Sequence, residues 1–137
     1  MDSRIRKLTA SKKAIFLKNG IFHNGNVKNS SRLNKVRHSF SKNQGYERVV
    51  FDFSTSNIPK VYGSISSNEK RIYLDFFDTN LKESIASVGT SHFVENINFL
   101  PLSKESLSVE VIFKQNVEVD VFYLNGPGRL VLDIKEI

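Results

Sequence analysis

Three segments of this chain repeat one order of side chains: an arginine, three apolar residues, an aspartate and a further apolar residue. They are Arg48-Val49-Val50-Phe51-Asp52-Phe53, Arg71-Ile72-Tyr73-Leu74-Asp75-Phe76 and Arg129-Leu130-Val131-Leu132-Asp133-Ile134. Side chains alternate faces along an extended strand. Arg48, Val50 and Asp52 therefore share one face, as do Arg71, Tyr73 and Asp75, and Arg129, Val131 and Asp133. Each set offers a donor and an acceptor on either side of an apolar residue, which suits a ligand presenting hydroxyl edges and an apolar face together, as a sugar ring does. Within one strand the arginine and aspartate stand about 13 Å apart at ~3.3 Å per residue, so they do not pair there. An antiparallel neighbour would set the arginine of one copy opposite the aspartate of another, giving cross-strand ion pairs of about 0.2–1 kcal/mol each. Ligand platform and ion-pair ladder are both open on these residues alone.

Other chemistry finds little footing. His23, His38 and His92 have no metal-ligand spacing among them, and His92 with Glu95 is a poor ligand set. Cysteine is absent, which removes thiolate nucleophiles, thiolate metal sites and disulfides. No nucleophile elbow of the G-x-S-x-G kind occurs, and Gly126-Pro127-Gly128 lacks the lysine and helix of a phosphate loop. The carboxylates are spread along solvent faces rather than paired for acid–base work. The expectation is a binding protein without catalytic residues, metal or cofactor.

The elements that position the three sets follow from the same parity. Their alternate residues Val49, Phe51, Phe53, Ile72, Leu74, Phe76, Leu130, Leu132 and Ile134 form one apolar face per strand. A slip of one residue would drive arginine and aspartate into the core. Val109, Val111 and Phe113 are expected to join that core, with either the Val119 or the Phe122 face of the strand 117–124. That strand is apolar on both sides near its end, from Val121 to Leu124. It is therefore either buried twice over or an apolar patch open to a protein partner. Short β-branched and aromatic runs separated by turn residues predict eight strands, at 36–40, 48–54, 60–66, 70–76, 94–100, 107–113, 117–124 and 129–134. Leu81, Ile85 and Val88, between Asn80 and Gly89, predict one short helix over 80–88. The fold class is an all-β sandwich of two small sheets.

Charge divides the chain. Residues 1–32 carry eight Lys/Arg and one Asp, and residues 33–137 carry twelve Lys/Arg and thirteen Asp/Glu. The basic segment 1–32 has few apolar residues and reads as a flexible arm or linker, and 33–137 as the domain. With only Phe16 and Phe22 to stack bases and no tryptophan, the arm is a poor nucleic-acid platform. No run approaches the ~18–20 apolar residues of a membrane-spanning helix. Nor is there the ~7–15 residue apolar region of a secretion signal.

The folded region resembles a known family. Arg48-Val49-Val50-Phe51-Asp52 followed by a proline, the Arg71–Asp75 strand, and above all Tyr123-Leu124-Asn125-Gly126-Pro127-Gly128-Arg129-Leu130-Val131-Leu132-Asp133 look like the AMIN domain. The likeness runs from about Val36 to Ile134. It implies a sandwich of two β-sheets and an accessory module of the sort found in bacterial cell-wall amidases and type IV pilus secretins. By that resemblance the chain is expected in the periplasm or cell envelope, binding peptidoglycan or another envelope glycan through an exposed sheet face. The alternative is an adaptor within an envelope protein complex, such as a pilus or secretion machine.

Overall fold

A computed structural model of the protein describes residues 15–24, 30–82, 85, 90–103 and 106–137. The described residues form ten strands and no helix: β1 (Asn19–Asn24), β2 (Ser31–Ser41), β3 (Tyr46–Phe53), β4 (Val61–Ser66), β5 (Arg71–Phe77), β6 (Thr79–Leu81), β7 (Val94–Ser103), β8 (Ser106–Phe113), β9 (Val117–Leu124) and β10 (Arg129–Glu136). They assemble as two five-stranded sheets packed as a sandwich. The first has the order β6-β2-β3-β10-β9 and the second β1-β4-β5-β8-β7.

Strand parity sets which side chains meet between the sheets. Val49, Phe51 and Phe53, Ile72, Leu74 and Phe76, Val109, Val111 and Phe113, and Leu130, Leu132 and Ile134 are all buried in one cluster. Phe76 from the second sheet packs edge-on against Phe53 of the first, ring centres 5.0 Å apart, a favoured aromatic geometry. Val117, Val119, Val121 and Tyr123 turn the inner face of β9 into the same core. Phe122 is also buried, in a small second cluster with Val50 and Val131 on the outer face of the first sheet. The end of β9 is thus buried on both sides, and the open apolar patch considered for Val121–Leu124 does not form.

Two expectations change. Asn19–Asn24, placed by sequence in a flexible arm, is strand β1, paired antiparallel with β4 from Asn19↔Ser66 to Asn24↔Val61. Its anchor is Phe22, 2 % exposed, whose ring lies where a side chain at Gly63 would begin. Glycine opposite phenylalanine lets one aromatic residue hold an otherwise polar strand. Just before β1, Leu17 bridges to the edge of β9 through two 2.8 Å backbone hydrogen bonds with Val119. This short segment therefore closes one side of the sandwich. Ser31 and Arg32, also assigned to the arm, begin strand β2, and residues 1–14 and 25–29 of the arm lie outside the described residues.

The helix expected over 80–88 is not formed where it should start. Thr79–Leu81 is β6, lying parallel to β2 with Ser31↔Thr79 and Leu33↔Leu81 in register. Lys82 continues the contact by donating to the Leu33 carbonyl at 3.1 Å. A long-range backbone partner has overridden a weak local periodicity. Residues 83, 84 and 86–89 of that expected helix lie outside the described residues.

One end of the sandwich is fastened by a buried carboxylate. Glu47, 1 % exposed, accepts a 2.8 Å hydrogen bond from the Phe93 amide and stands 3.7 Å from His38 Nδ1. His92 beside it stacks on Phe40 with ring centres 3.6 Å apart. The loop entering β7 in the second sheet is thereby held to β2 and β3 of the first.

Candidate functional site

The three Arg/Asp strands do not form one platform. Two of them, β3 and β10, are antiparallel neighbours in the first sheet, with Arg129 opposite Asp52, Val131 opposite Val50 and Asp133 opposite Arg48. The third, β5, belongs to the second sheet and pairs with β4 and β8. Its Arg71, Tyr73 and Asp75 face solvent on the other side of the molecule.

On the first sheet the ladder reading accounts for most of what is seen. Arg48 Nε and Nη2 donate to the two oxygens of Asp133 at 2.8 and 2.9 Å, a bidentate pair of the strong kind. The Asp133 carboxylate, accepting these bonds, holds the Arg48 guanidinium pKa above its ordinary value, against an opposing push from burial. Arg48 also lies over the ring of Phe122, 5.4 Å from its centre. At the far end Asp52 is taken bidentately by Arg37 of β2, at 2.7 and 3.0 Å, rather than by Arg129 opposite. Arg129 donates to the carbonyls of Pro127 and Asn125 in the turn before it. Between them Val50 and Val131 are buried, not presented. The outer face of this sheet is an ion-paired cover over a small apolar cluster.

The most specific stretch of the family-like pattern also has a structural task. Asn125–Gly128 is the turn joining β9 to β10, and its Gly126–Pro127 peptide is cis. The turn docks on the chain leaving β3. Gly126 N–H donates to Ser56 O at 2.9 Å, Gly128 N–H to Thr55 O at 2.8 Å, and Phe53 N–H to Gly128 O at 3.0 Å. A side chain at Gly128 would meet the Asn57 backbone at 2.6 Å, so glycine is required there by close approach.

The second sheet presents a different surface. Reading across its five strands, the outward residues align as Ile21, Ser64, Tyr73, Glu110, Asn98 in one row and His23, Tyr62, Asp75, Ser108, Leu100 in the next. Tyr62, Tyr73, Ile21 and Leu100 are exposed by 43, 42, 58 and 60 %, an unusual apolar and aromatic load for a solvent face. Over β5, β8 and β7, a dish of about 410 Å³ is lined by Tyr73, Asp75, Asn98, Leu100, Ser108 and Glu110, with Leu74, Phe99 and Val109 between them. Its polar groups are oriented by one another. Ser108 Oγ donates to Asp75 Oδ1, Arg71 pairs with Glu110, and Asn98 Nδ2 donates to the other Glu110 oxygen at 3.4 Å. The Tyr73 hydroxyl points at Glu69 Oε1, 3.4 Å away. Desolvation at the sheet surface and then the charge of Glu69 push the Tyr73 phenol pKa up.

Of the residues singled out by sequence, Arg71, Tyr73 and Asp75 therefore sit at a concave, exposed site, and the other six at a closed one. Asn98, Leu100, Ser108 and Glu110 were missed. Their alternation along β7 and β8 shows which of them share a face, but not that those strands lie beside β5. Among the described residues no group of three or more His, Asp or Glu side chains is arranged to hold a metal ion. No helix among them is long and apolar enough to cross a membrane. Neither a protein-family model nor a curated protein sequence matches this chain.

Proposed function

We propose that this chain is a non-catalytic cell-envelope targeting module that binds peptidoglycan or a related wall glycan through the outer face of the β1-β4-β5-β8-β7 sheet. The observation that carries the reading is the dish on that face, where the exposed Tyr73 stands among Asp75, Asn98, Ser108 and Glu110. A pyranose ring has an apolar C–H face that packs on a tyrosine ring, and hydroxyl and acetamido edges that need donors and acceptors around that ring. Sites for small ligands combine these features, an apolar floor with a few convergent polar groups. Asp75 and Glu110 are each tied to a neighbour, which suits fixed acceptors better than a free acid and base. The wall polymer, and the periplasm as its place, come from the resemblance to the AMIN domain.

The test is co-sedimentation of the whole chain with purified sacculi. The wild-type protein is expected in the pellet, Tyr73→Ala and Asn98→Ala to shift it largely to the supernatant, and Arg129→Glu, on the opposite face, to pellet as wild type. Pelleting no greater than that of a control protein, or full pelleting of Tyr73→Ala, would overturn the reading.

A further inference from the structure

We propose that two copies of this chain pair edge to edge through β1, antiparallel about a two-fold axis at Ile21, and so join their second sheets into one of ten strands. The inference is independent of what the sheet face binds.

The sandwich has four sheet edges, and three carry features that discourage pairing. The β9 edge is occupied at Val119 by Leu17. β6 covers only Ser31–Leu33 of β2, and the stretch of β2 beyond it carries a register shift between Leu33 and Lys35 and the charged Lys35 and Arg37. β7 contains Pro101 and is interrupted by register shifts between Val94 and Asn96 and between Pro101 and Ser103. Proline, bulges and short length are the usual protections of an edge, as are charged side chains. β1 has none of them. Its sequence is Asn-Gly-Ile-Phe-His-Asn, six residues in regular register on β4, and among the described residues nothing pairs with its outer side.

The backbone groups on that side can be assigned. Ser67 N–H donates to Lys18 O at 2.9 Å, one step beyond the Asn19↔Ser66 pair. In an antiparallel ladder, hydrogen-bonded and non-bonded pairs alternate. Gly20, Phe22 and Asn24 therefore direct their N–H and C=O groups to β4, and Asn19, Ile21 and His23 direct theirs outward. The Phe77 N–H to Lys60 O bond at 2.9 Å, on the other side of β4, fits the same alternation.

These outward groups are self-complementary. Placing Ile21 opposite Ile21 of a second copy sets Asn19 opposite His23 and His23 opposite Asn19, and every outward donor then meets an acceptor. A pairing of Ile21 with Phe22 would instead put a core side chain opposite a solvent one, so the pleat excludes it. The register brings the two Ile21 side chains, each 58 % exposed alone, into contact on the outer face. It sets no charged residue of β1 against a like charge. The interface is of the isologous two-fold kind. It is smaller than those of permanent dimers, so association depends on concentration.

Sedimentation equilibrium of the full chain across a concentration series tests this. The average mass is expected to rise toward twice that of one chain, and Ile21→Lys, which sets two ammonium groups together at the axis, should remain monomeric with an unchanged circular dichroism spectrum. The chain has no cysteine, so register can be read by single cysteines under oxidised glutathione. Ile21→Cys should crosslink to itself, because hydrogen-bonded antiparallel partners stand ~5.5 Å apart between Cα atoms, inside the disulfide range. Asn19→Cys should crosslink only when mixed with His23→Cys. A monomer at every concentration, association by Ile21→Lys equal to wild type, or Asn19→Cys crosslinking to itself as readily as Ile21→Cys would each overturn the proposal.

Discussion

Removing the ring of Phe22 should cost this domain a large share of its stability, although the residue stands in a segment that reads as a polar, basic arm. Phe22 is 2 % exposed, and Phe→Ala at such a site costs about 3–5 kcal/mol. Domains of this kind have only ~5–15 kcal/mol in all. Ile21, next in the chain but turned to solvent, should cost within about 0.5 kcal/mol when replaced by alanine. Gly63→Ala perturbs the same contact from the other side, since its new Cβ would stand only 2.2 Å from Cζ at the tip of the Phe22 ring. Relief by pushing β1 off β4 should cost an overpacking penalty of about 1–3 kcal/mol. The informative variant is the double one. With alanine at 22 the space above residue 63 is empty, so Phe22→Ala/Gly63→Ala should be more stable than the sum of the single losses predicts, by about 1 kcal/mol or more. Urea denaturation followed by circular dichroism, at concentrations low enough to keep the chain monomeric, measures all four proteins. If Phe22→Ala is as mild as Ile21→Ala, or the double mutant is simply additive, β1 is not anchored as described.

Further outcomes follow from single buried groups. The Tyr123 hydroxyl is buried with no hydrogen-bond partner among the described residues, so Tyr123→Phe should stabilise the domain by about 1 kcal/mol near neutral pH. Burial also pushes the Tyr123 pKa far above the ordinary tyrosine value. Below about pH 10 the phenol is neutral in both states and pH has no effect through it. Above that the unfolded chain ionises first, and stability falls by ~1.4 kcal/mol per pH unit until the folded pKa is reached. The stability advantage of Tyr123→Phe should therefore stay constant up to about pH 10 and widen between about pH 10 and about pH 11, and a constant difference across that last interval would contradict it. Glu47→Ala leaves the buried Phe93 N–H without its acceptor, and should cost about 1–3 kcal/mol and speed hydrogen exchange at the Phe93 amide. Glu47→Gln, which keeps an oxygen acceptor, should do less of both, and unchanged exchange in both variants would show that the carboxylate does not hold that loop.

Strand parity was the legible part of this sequence. The Arg-x3-Asp segments put Phe51, Leu74 and Leu132 in the core because a period of two admits one solution when one face is greasy and the other ionic. The pairing of those strands was not legible. β3 and β10 share a sheet while β5 lies in the other, and nothing local to Arg71–Asp75 distinguishes it from its two look-alikes. The ligand platform imagined across all three strands is thus divided: closed by Arg48–Asp133 and Arg37–Asp52 on one face, open around Tyr73 on the other. β1 and β6 escaped notice for a related reason. Each is specified by a distant partner, β1 by the glycine at 63 that admits Phe22, β6 by the backbone of Ser31–Leu33, and neither has the apolar density of a self-evident strand. The Val121–Leu124 run is apolar on both sides because both sides of β9 are buried.

The central claim is that the exposed face of the second sheet is the binding surface. It is tested most directly by amide chemical-shift mapping during titration with soluble, enzymatically released peptidoglycan fragments. Saturable shifts are expected to centre on Tyr73, Asp75, Asn98, Ser108 and Glu110, with the amides of Arg48, Val131 and Asp133 unmoved. Shifts centred on those latter residues, or a spectrum indifferent to the glycan, would contradict it.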